Sequence, residues 1–136
     1  MKRKNFLWGG LTMAASSTLL SCANVTEERA KEAVYGPIIH SVFFWLKEDI
    51  TEQEKLDFVN FFESLRPIPG IQMLTYGKPA TTNQRDVVDS SFSYNLIVTF
   101  TTMDDINVYE THPIHLEAIE KYKKYWTKVT VYDTQV

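Results

Sequence analysis

Residues 38–46 form a strand-like segment that is apolar on both faces, and this feature restricts the possible folds more than any other. The segment reads Ile-Ile-His-Ser-Val-Phe-Phe-Trp-Leu and is rich in β-branched and aromatic residues, which favour strands. Successive side chains of a strand point to opposite faces. The larger apolar residues are Val42, Phe44 and Leu46 on one face, and Ile39, Phe43 and Trp45 on the other. A sheet built on this strand therefore has to be covered on both sides.

A helix is predicted directly after this strand. Thr51 and Glu54 have the spacing of a capping box, which marks a helix start. The apolar residues that follow recur at helical spacing, at Phe58, Phe61, Phe62 and Leu65. This stripe predicts one buried helix face, and the two prolines of the Pro67–Gly70 segment end the helix.

The rest of the chain repeats the alternation of strands and helices. Strands are predicted over residues 71–77, 92–100 and 126–134, with a long polar loop over 78–91. A helical region starts after Thr102, is interrupted at His112-Pro113 and continues to about Tyr125. Its inward residues are predicted to be Leu116, Ile119 and Tyr122. The order βαββαβ predicts an α+β, ferredoxin-like fold, a four-stranded antiparallel sheet with helices on one face.

This arrangement leaves the second face of the sheet without a cover from the same chain. A bare apolar sheet face is an aggregation hazard or an interface. Since the chain is too short to supply another layer, a second copy related by a twofold axis is the simplest cover. We therefore expect a homodimer in which two sheets face each other and enclose a barrel-like cavity.

The first 21 residues have the pattern of an export signal. Lys2, Arg3 and Lys4 precede a moderately apolar run over residues 6–20 that is too short and too polar for a membrane span. The run ends in Leu19-Leu20-Ser21-Cys22, which resembles a bacterial lipobox. That resemblance implies cleavage before Cys22 and lipidation of its thiol. The alternative is an ordinary secretory signal with a chance cysteine.

Removal of residues 1–21 leaves an acidic protein, with 11 basic against 17 acidic residues. An acidic chain without a basic patch argues against nucleic-acid binding. A single cysteine excludes a disulfide framework and a cysteine-rich zinc site. Residues 22–37 are polar and predicted to be a flexible tether. The expected location is the cell envelope, with contact to the membrane only through the lipid anchor.

Three local patterns in residues 38–136 resemble the stress-responsive A/B barrel (Dabb) family, whose members are dimeric α+β barrels. The first is His40-x-Val42-x-Phe44 in the first strand, followed by Lys47. The others are Tyr109-Glu110-Thr111-His112-Pro113-Ile114-His115 and Val131-Tyr132-Asp133. The resemblance implies a ferredoxin-like protomer, a symmetric dimer and a cavity between sheet and helices.

The family contains a small plant cyclase that closes polyketides without a cofactor, using histidine and tyrosine. The matching positions here are His40, Tyr109 and His115, which become candidate catalytic residues. His115 falls in the first turn of a helix, where the positive helix end favours a neutral ring that can accept a proton. The candidate ligand-binding residues are His40, Phe44, Tyr94, Tyr109, His112 and His115.

Structural roles are the alternative for the same residues. His112 before a proline can cap a helix, His115 can bind a backbone carbonyl, and Tyr109 can be a core residue. A metal bound by His40, His112 and His115 is a further alternative, but we predict no metal and no cofactor.

Three functional hypotheses remain open from the sequence. The domain binds a small apolar or aromatic ligand; or it is a cofactor-independent cyclase, lyase or monooxygenase; or it is a structural module with a sealed core.

Overall fold

The computed structural model describes residues 36–136. The predicted signal peptide over residues 1–21, the lipidation site Cys22 and most of the predicted tether lie outside the described residues. Within residues 36–136, no helix is both long and apolar enough to cross a membrane.

The predicted order of elements is confirmed. The elements are β1 (Ile38–Leu46), α1 (Glu52–Leu65), β2 (Ile71–Gly77), β3 (Tyr94–Phe100), α2 (Met103–Thr111), α3 (Pro113–Tyr122) and β4 (Trp126–Gln135), with a 3-10 turn at Lys123–Tyr125. The strands lie in the order β2-β3-β1-β4, and all neighbours are antiparallel. This is a ferredoxin-like α+β fold.

Capping boxes begin the first two helices; the sequence predicted the first box, and a cap at Thr102 for the second helix. The Thr51 hydroxyl accepts a hydrogen bond from the Glu54 N–H (3.2 Å), and the Glu54 carboxylate accepts one from the Thr51 N–H (2.7 Å). Thr102 and Asp105 make the same reciprocal pair at the start of α2. Both boxes satisfy N–H groups that have no partner within the helix, so each helix starts at a defined residue.

The core lies between β1, β3 and the helices. The apolar stripe of α1 consists of Phe58, Phe61, Phe62 and Leu65, and each of these side chains is at most 2% exposed. Three rings of this stripe surround Phe44 of β1, with ring centroids 5.5 to 5.6 Å away. Such edge-to-face aromatic contacts stabilise a core beyond the area that they bury.

The two faces of β1 differ as predicted. Ile38, His40, Val42 and Phe44 point to the helices and are buried, whereas Ile39, Phe43 and Trp45 on the other face are half-buried. On that second face, the ring of Phe43 lies 4.9 Å from Phe92 and 5.9 Å from Tyr132. The sheet therefore carries an aromatic surface opposite the helices.

Two local predictions differ from the structure. Strand β3 begins at Tyr94 and not at residue 92, because the Ser93 hydroxyl turns to accept a hydrogen bond from the Leu46 N–H (2.9 Å). In α3, Leu116 is 51% exposed, and Ala118 takes an inward position together with Tyr122. The prediction for Leu116 was wrong because helical spacing fixes which residues share a face but not which face meets the sheet.

Packing against the sheet starts two residues before β1. A Cβ at Gly36 would lie 2.2 Å from the carbonyl oxygen of Phe100, so only glycine fits there. The Pro37 carbonyl accepts a hydrogen bond from the Val136 N–H (2.8 Å). The two ends of the described chain are thereby held side by side.

Candidate functional site

A pocket of about 580 Å³ lies between the helices and the β1–β4 side of the sheet. Its lining is His40, Val42, Phe44, Phe61, Leu96, Tyr109, Glu110, His115, Ile119, Trp126, Val129, Val131 and Asp133. The pocket opens at the edge strand, because Val129 and Val131 of β4 are 37% and 45% exposed while Val42 and Phe44 of β1 are buried. The helices therefore cover the central strands more fully than β4.

The position of this pocket agrees with the cavity implied by the family resemblance, between sheet and helices. It differs from the barrel-like cavity that we expected between two facing sheets. Its lining residues lie on the helix side of the sheet. The pocket lies there because the helices cover β4 incompletely and leave space between themselves and this edge strand.

His40 is held by a carboxylate on the neighbouring strand. The ring is 6% exposed, and its Nδ1 lies 2.6 Å from Oδ1 of Asp133, the residue opposite it in the β1–β4 register. Because an ionised carboxylate only accepts hydrogen bonds, Nδ1–H donates to Asp133. Nε2 is the ring nitrogen that this contact leaves without a partner.

His115 is oriented by the backbone of the α2–α3 break. Its Nδ1 lies 3.0 Å from the carbonyl oxygen of Glu110, near the end of α2. A carbonyl only accepts, so Nδ1–H donates and Nε2 carries the lone pair. Burial lowers the pKa of His115 below its ordinary value, and the nearby His40 ring lowers it further. The hydrogen bond to the Glu110 carbonyl raises this pKa, but the net shift is downward. The ring is therefore neutral at pH 7.

Tyr109 lies between the two histidines. Its ring centroid is 4.5 Å from that of His115 and 5.6 Å from that of His40. The residue is 1% exposed, and burial raises the pKa of its hydroxyl well above the usual range. A tyrosine in this state keeps its proton and can donate a hydrogen bond to an oxygen of a ligand. The three predicted catalytic residues thus meet at one end of the pocket.

Two of the predicted ligand-binding residues do not line this pocket. Tyr94 packs against Phe58 and Phe62 in the core, with ring centroids 5.7 and 5.6 Å away. His112 lies in the break between α2 and α3, where its Nδ1 accepts a hydrogen bond from the Ile114 N–H (3.2 Å). The break exists because a residue before proline avoids helical angles, and His112 has a ψ of 138°.

We expect His112 to act as a helix cap. His112→Ala should lower the free energy of unfolding by about 1 kcal/mol, because the Ile114 N–H loses its acceptor. His112→Asn keeps an acceptor at this position and should restore most of that loss. Urea unfolding followed by circular dichroism measures both variants. Equal stability of the alanine variant and the unmodified protein would contradict the capping role.

The sequence did not reveal the roles of Glu110 and Asp133. Both carboxylates line the pocket, and together with His40 they offer ligand atoms that all lie within 4.8 Å of one another. These three side chains could hold a metal ion. In the other set considered from the sequence, His40, His112 and His115, Nδ1 of His112 is already used as the acceptor of the helix cap. Pairing of β1 with β4 was the signal that could have identified Asp133, since it brings residue 133 opposite residue 40.

Comparison with known proteins agrees with this fold. The chain is 26% identical over 95 residues to the olivetolic acid cyclase of Cannabis sativa, a match that covers 69% of this chain and 91% of the cyclase. Its structure is similar to that of a hydroxynitrile lyase from Passiflora edulis, at 19% identity and a TM-score of 0.62, covering 73% of this chain and 92% of the lyase.

A further similar structure is a dimeric protein of ferredoxin-like fold from Bacteroides fragilis. It is 24% identical, with a TM-score of 0.57, and the match covers 75% of this chain and 99% of that protein. The profile of the Stress Responsive A/B Barrel Domain matches residues 38–136, which is most of the chain. Residues 38–136 therefore belong to the Dabb family.

Proposed function

We propose that this domain binds a small, largely apolar molecule in the pocket between its sheet and helices. The observation that carries the proposal is the composition of the 580 Å³ pocket, which has an aromatic and aliphatic wall and a few polar groups at one end. Binding sites for small molecules have this size and this division between apolar walls and convergent polar groups. The wall supplies affinity through burial of apolar surface, and His40, Tyr109 and His115 orient the ligand.

A substitution that fills the pocket tests this proposal. Val131→Trp adds a large ring at the open edge of the pocket, and we expect it to weaken binding of a neutral aromatic probe, 2-naphthol, by about tenfold. Val108→Trp is the matched control, because Val108 is 48% exposed on α2 and does not line the pocket. Saturation-transfer NMR titration measures both affinities. Equal affinities for the two variants would contradict binding in this pocket.

We also propose that the protein is a homodimer formed through the sheet face opposite the helices. The support is the aromatic surface around Phe43, Phe92 and Tyr132, of which Tyr132 is 60% exposed. Solved structures similar to this chain are described as dimeric. Burial of this surface against an identical surface would satisfy both apolar faces of β1.

Anchoring to the membrane of the cell envelope is the third part of the proposal. It rests on the sequence Leu19-Leu20-Ser21-Cys22 after the basic and apolar segments of an export signal. Acyl chains on Cys22 would hold the acidic domain at the membrane while it stays in the aqueous compartment. Cys22→Ser is expected to move the protein from the membrane fraction to the soluble fraction, and unchanged fractionation would contradict the anchor.

A second candidate function is cofactor-independent proton-transfer chemistry on a carbonyl compound. The observation that favours it is the pairing of a neutral, oriented His115 with a protonated Tyr109. Nε2 of His115 would take a proton from a carbon next to a carbonyl; the C–H electron pair would form the C=C bond of the enolate, and the π pair of the carbonyl would move to its oxygen. The Tyr109 hydroxyl would donate a hydrogen bond to that oxyanion. Attack of the enolate on a second carbonyl and return of the proton would close a ring.

Turnover distinguishes this second candidate from simple binding. We expect His115→Gln to abolish conversion of a linear triketone while the triketone still binds. In the unmodified protein the rate should fall as pH drops through the lowered pKa of His115, since the base is then protonated. Binding without turnover in the unmodified protein would leave only the first function.

A further inference from the structure

We propose that the pocket selects ligands with a protonated amine over neutral or anionic ligands of the same shape, through Glu110 and Asp133 at its polar end. This inference rests on the proposed binding function and names the class of ligand for that site.

The two carboxylates lie on different elements and meet at one boundary. Glu110 is in the last turn of α2, and Asp133 is in β4. Both also line a second hollow of about 350 Å³ between α2 and the end of β4. They therefore stand between the apolar pocket and an adjacent hollow, and both carboxylates are exposed to water.

Within residues 36–136, no lysine or arginine balances these two charges. The lining of both hollows, as far as this part of the chain forms it, contains neither residue type. The ion pairs of the same segment do not include Glu110, and Asp133 pairs only with His40. The polar end therefore holds two acidic side chains, Glu110 and Asp133, and no lysine or arginine beside them within this segment.

The acceptor set at this end matches an ammonium group. A primary ammonium has three N–H donors and no acceptor. The site offers two acceptor-only carboxylates, those of Glu110 and Asp133, and the ligand atoms that these two side chains and His40 offer lie within 4.8 Å of one another. Charge-assisted hydrogen bonds of this kind are stronger than neutral ones.

Two buried side chains also leave polar atoms without a partner at this end of the pocket. His40 is 6% exposed and uses only Nδ1 in a hydrogen bond, while Tyr109 is 1% exposed and its hydroxyl has no hydrogen-bond partner within residues 36–136. Both residues line the pocket, and their free polar atoms are not among the fully buried unpartnered atoms of this segment, so a ligand can reach them. The adjacent Tyr109 ring could also attract a cation through its face.

Three indole derivatives of nearly equal shape test this inference. Tryptamine is cationic, tryptophol is neutral and indole-3-acetate is anionic at neutral pH. Calorimetric titration of the full-length protein, with EDTA present and a detergent blank, gives the three affinities. We expect tryptamine to bind about tenfold more tightly than tryptophol, and indole-3-acetate to bind more weakly than both. The advantage of tryptamine should shrink in high salt.

Two variants assign that advantage to the carboxylate. Glu110→Gln should remove most of the difference between tryptamine and tryptophol, because the ammonium group loses one of its two carboxylate partners. Glu117→Gln is the control, since it removes the same charge from an exposed position of α3 that does not line the pocket. Equal effects of the two variants on tryptamine binding would overturn the inference, because they would indicate a general effect of net charge.

The outcomes separate this inference from the proposed function. If tryptophol binds and tryptamine does not bind more tightly, the charge selection is wrong and the binding pocket stands. If none of the three compounds binds, the pocket does not accept ligands of this size, and both proposals fail. Tighter binding of indole-3-acetate than of tryptophol would also overturn the selection.

Discussion

Phe58→Ala is expected to lower the free energy of unfolding by about 4 kcal/mol. The Phe58 side chain is fully buried, and its ring lies 5.2 to 6.0 Å from the rings of Phe44, Phe61, Phe62, Tyr94 and Trp126. Removal of this ring leaves a cavity at the centre of the aromatic core, and rigid neighbouring rings cannot close it. Guanidinium unfolding at a fixed protein concentration measures the loss.

Two further variants define the origin of this effect. Phe58→Leu retains most of the buried volume and should cost far less than the alanine variant. Val87→Ala should change stability by no more than about 0.5 kcal/mol, because Val87 is 88% exposed in the loop between β2 and β3. A loss for Phe58→Ala as small as that of Val87→Ala would mean that the aromatic cluster does not form the core.

Phe43→Lys is expected to convert the proposed dimer into monomers, with a dissociation constant raised by about a thousandfold or more. Phe43 lies in the middle of the aromatic surface opposite the helices, between Phe92 and Tyr132. In a twofold dimer each substitution occurs twice, so two unpaired ammonium groups would be buried at one interface. Analytical ultracentrifugation over a range of concentrations measures the equilibrium.

The matched control adds the same charge to the other side of the molecule. Leu56 is 63% exposed on α1, and Leu56→Lys should leave the dimer unchanged. Circular dichroism of Phe43→Lys should retain the native spectrum, because the introduced ammonium group can extend into water in the monomer. A dimer that survives this substitution would contradict the proposed interface.

Charge selection and dimer formation depend on opposite faces of the same sheet. His40 and Asp133 point to the helices, whereas Phe43 and Tyr132 point away from them. Because successive side chains of a strand point to opposite faces, neighbouring residues of one strand can serve these two functions separately. Substitutions at Glu110 should therefore change ligand affinity without changing the oligomeric state.

The sequence predicted only some of the residues that form the site. The spacing of Tyr109 and His115 around a proline indicated that both residues belong to one helical break, and the structure brings them together. Tyr94 and His112 were also predicted as ligand-binding residues, but Tyr94 lies in the core and His112 caps a helix. Glu110 and Asp133 stand within two of the quoted sequence patterns but were not predicted as site residues, because their proximity depends on how α2 lies against β4.

The sequence by itself determined the strands, the helix starts and the order of elements, since capping boxes, proline breaks and apolar periodicity act between residues a few positions apart. It also determined that β1 needs cover on two faces. Only the tertiary structure decided that Leu116 faces outward, that Asp133 meets His40 and that the pocket lies on the helix side of the sheet. Helix rotation and strand register depend on contacts between distant segments, and local patterns do not encode these contacts.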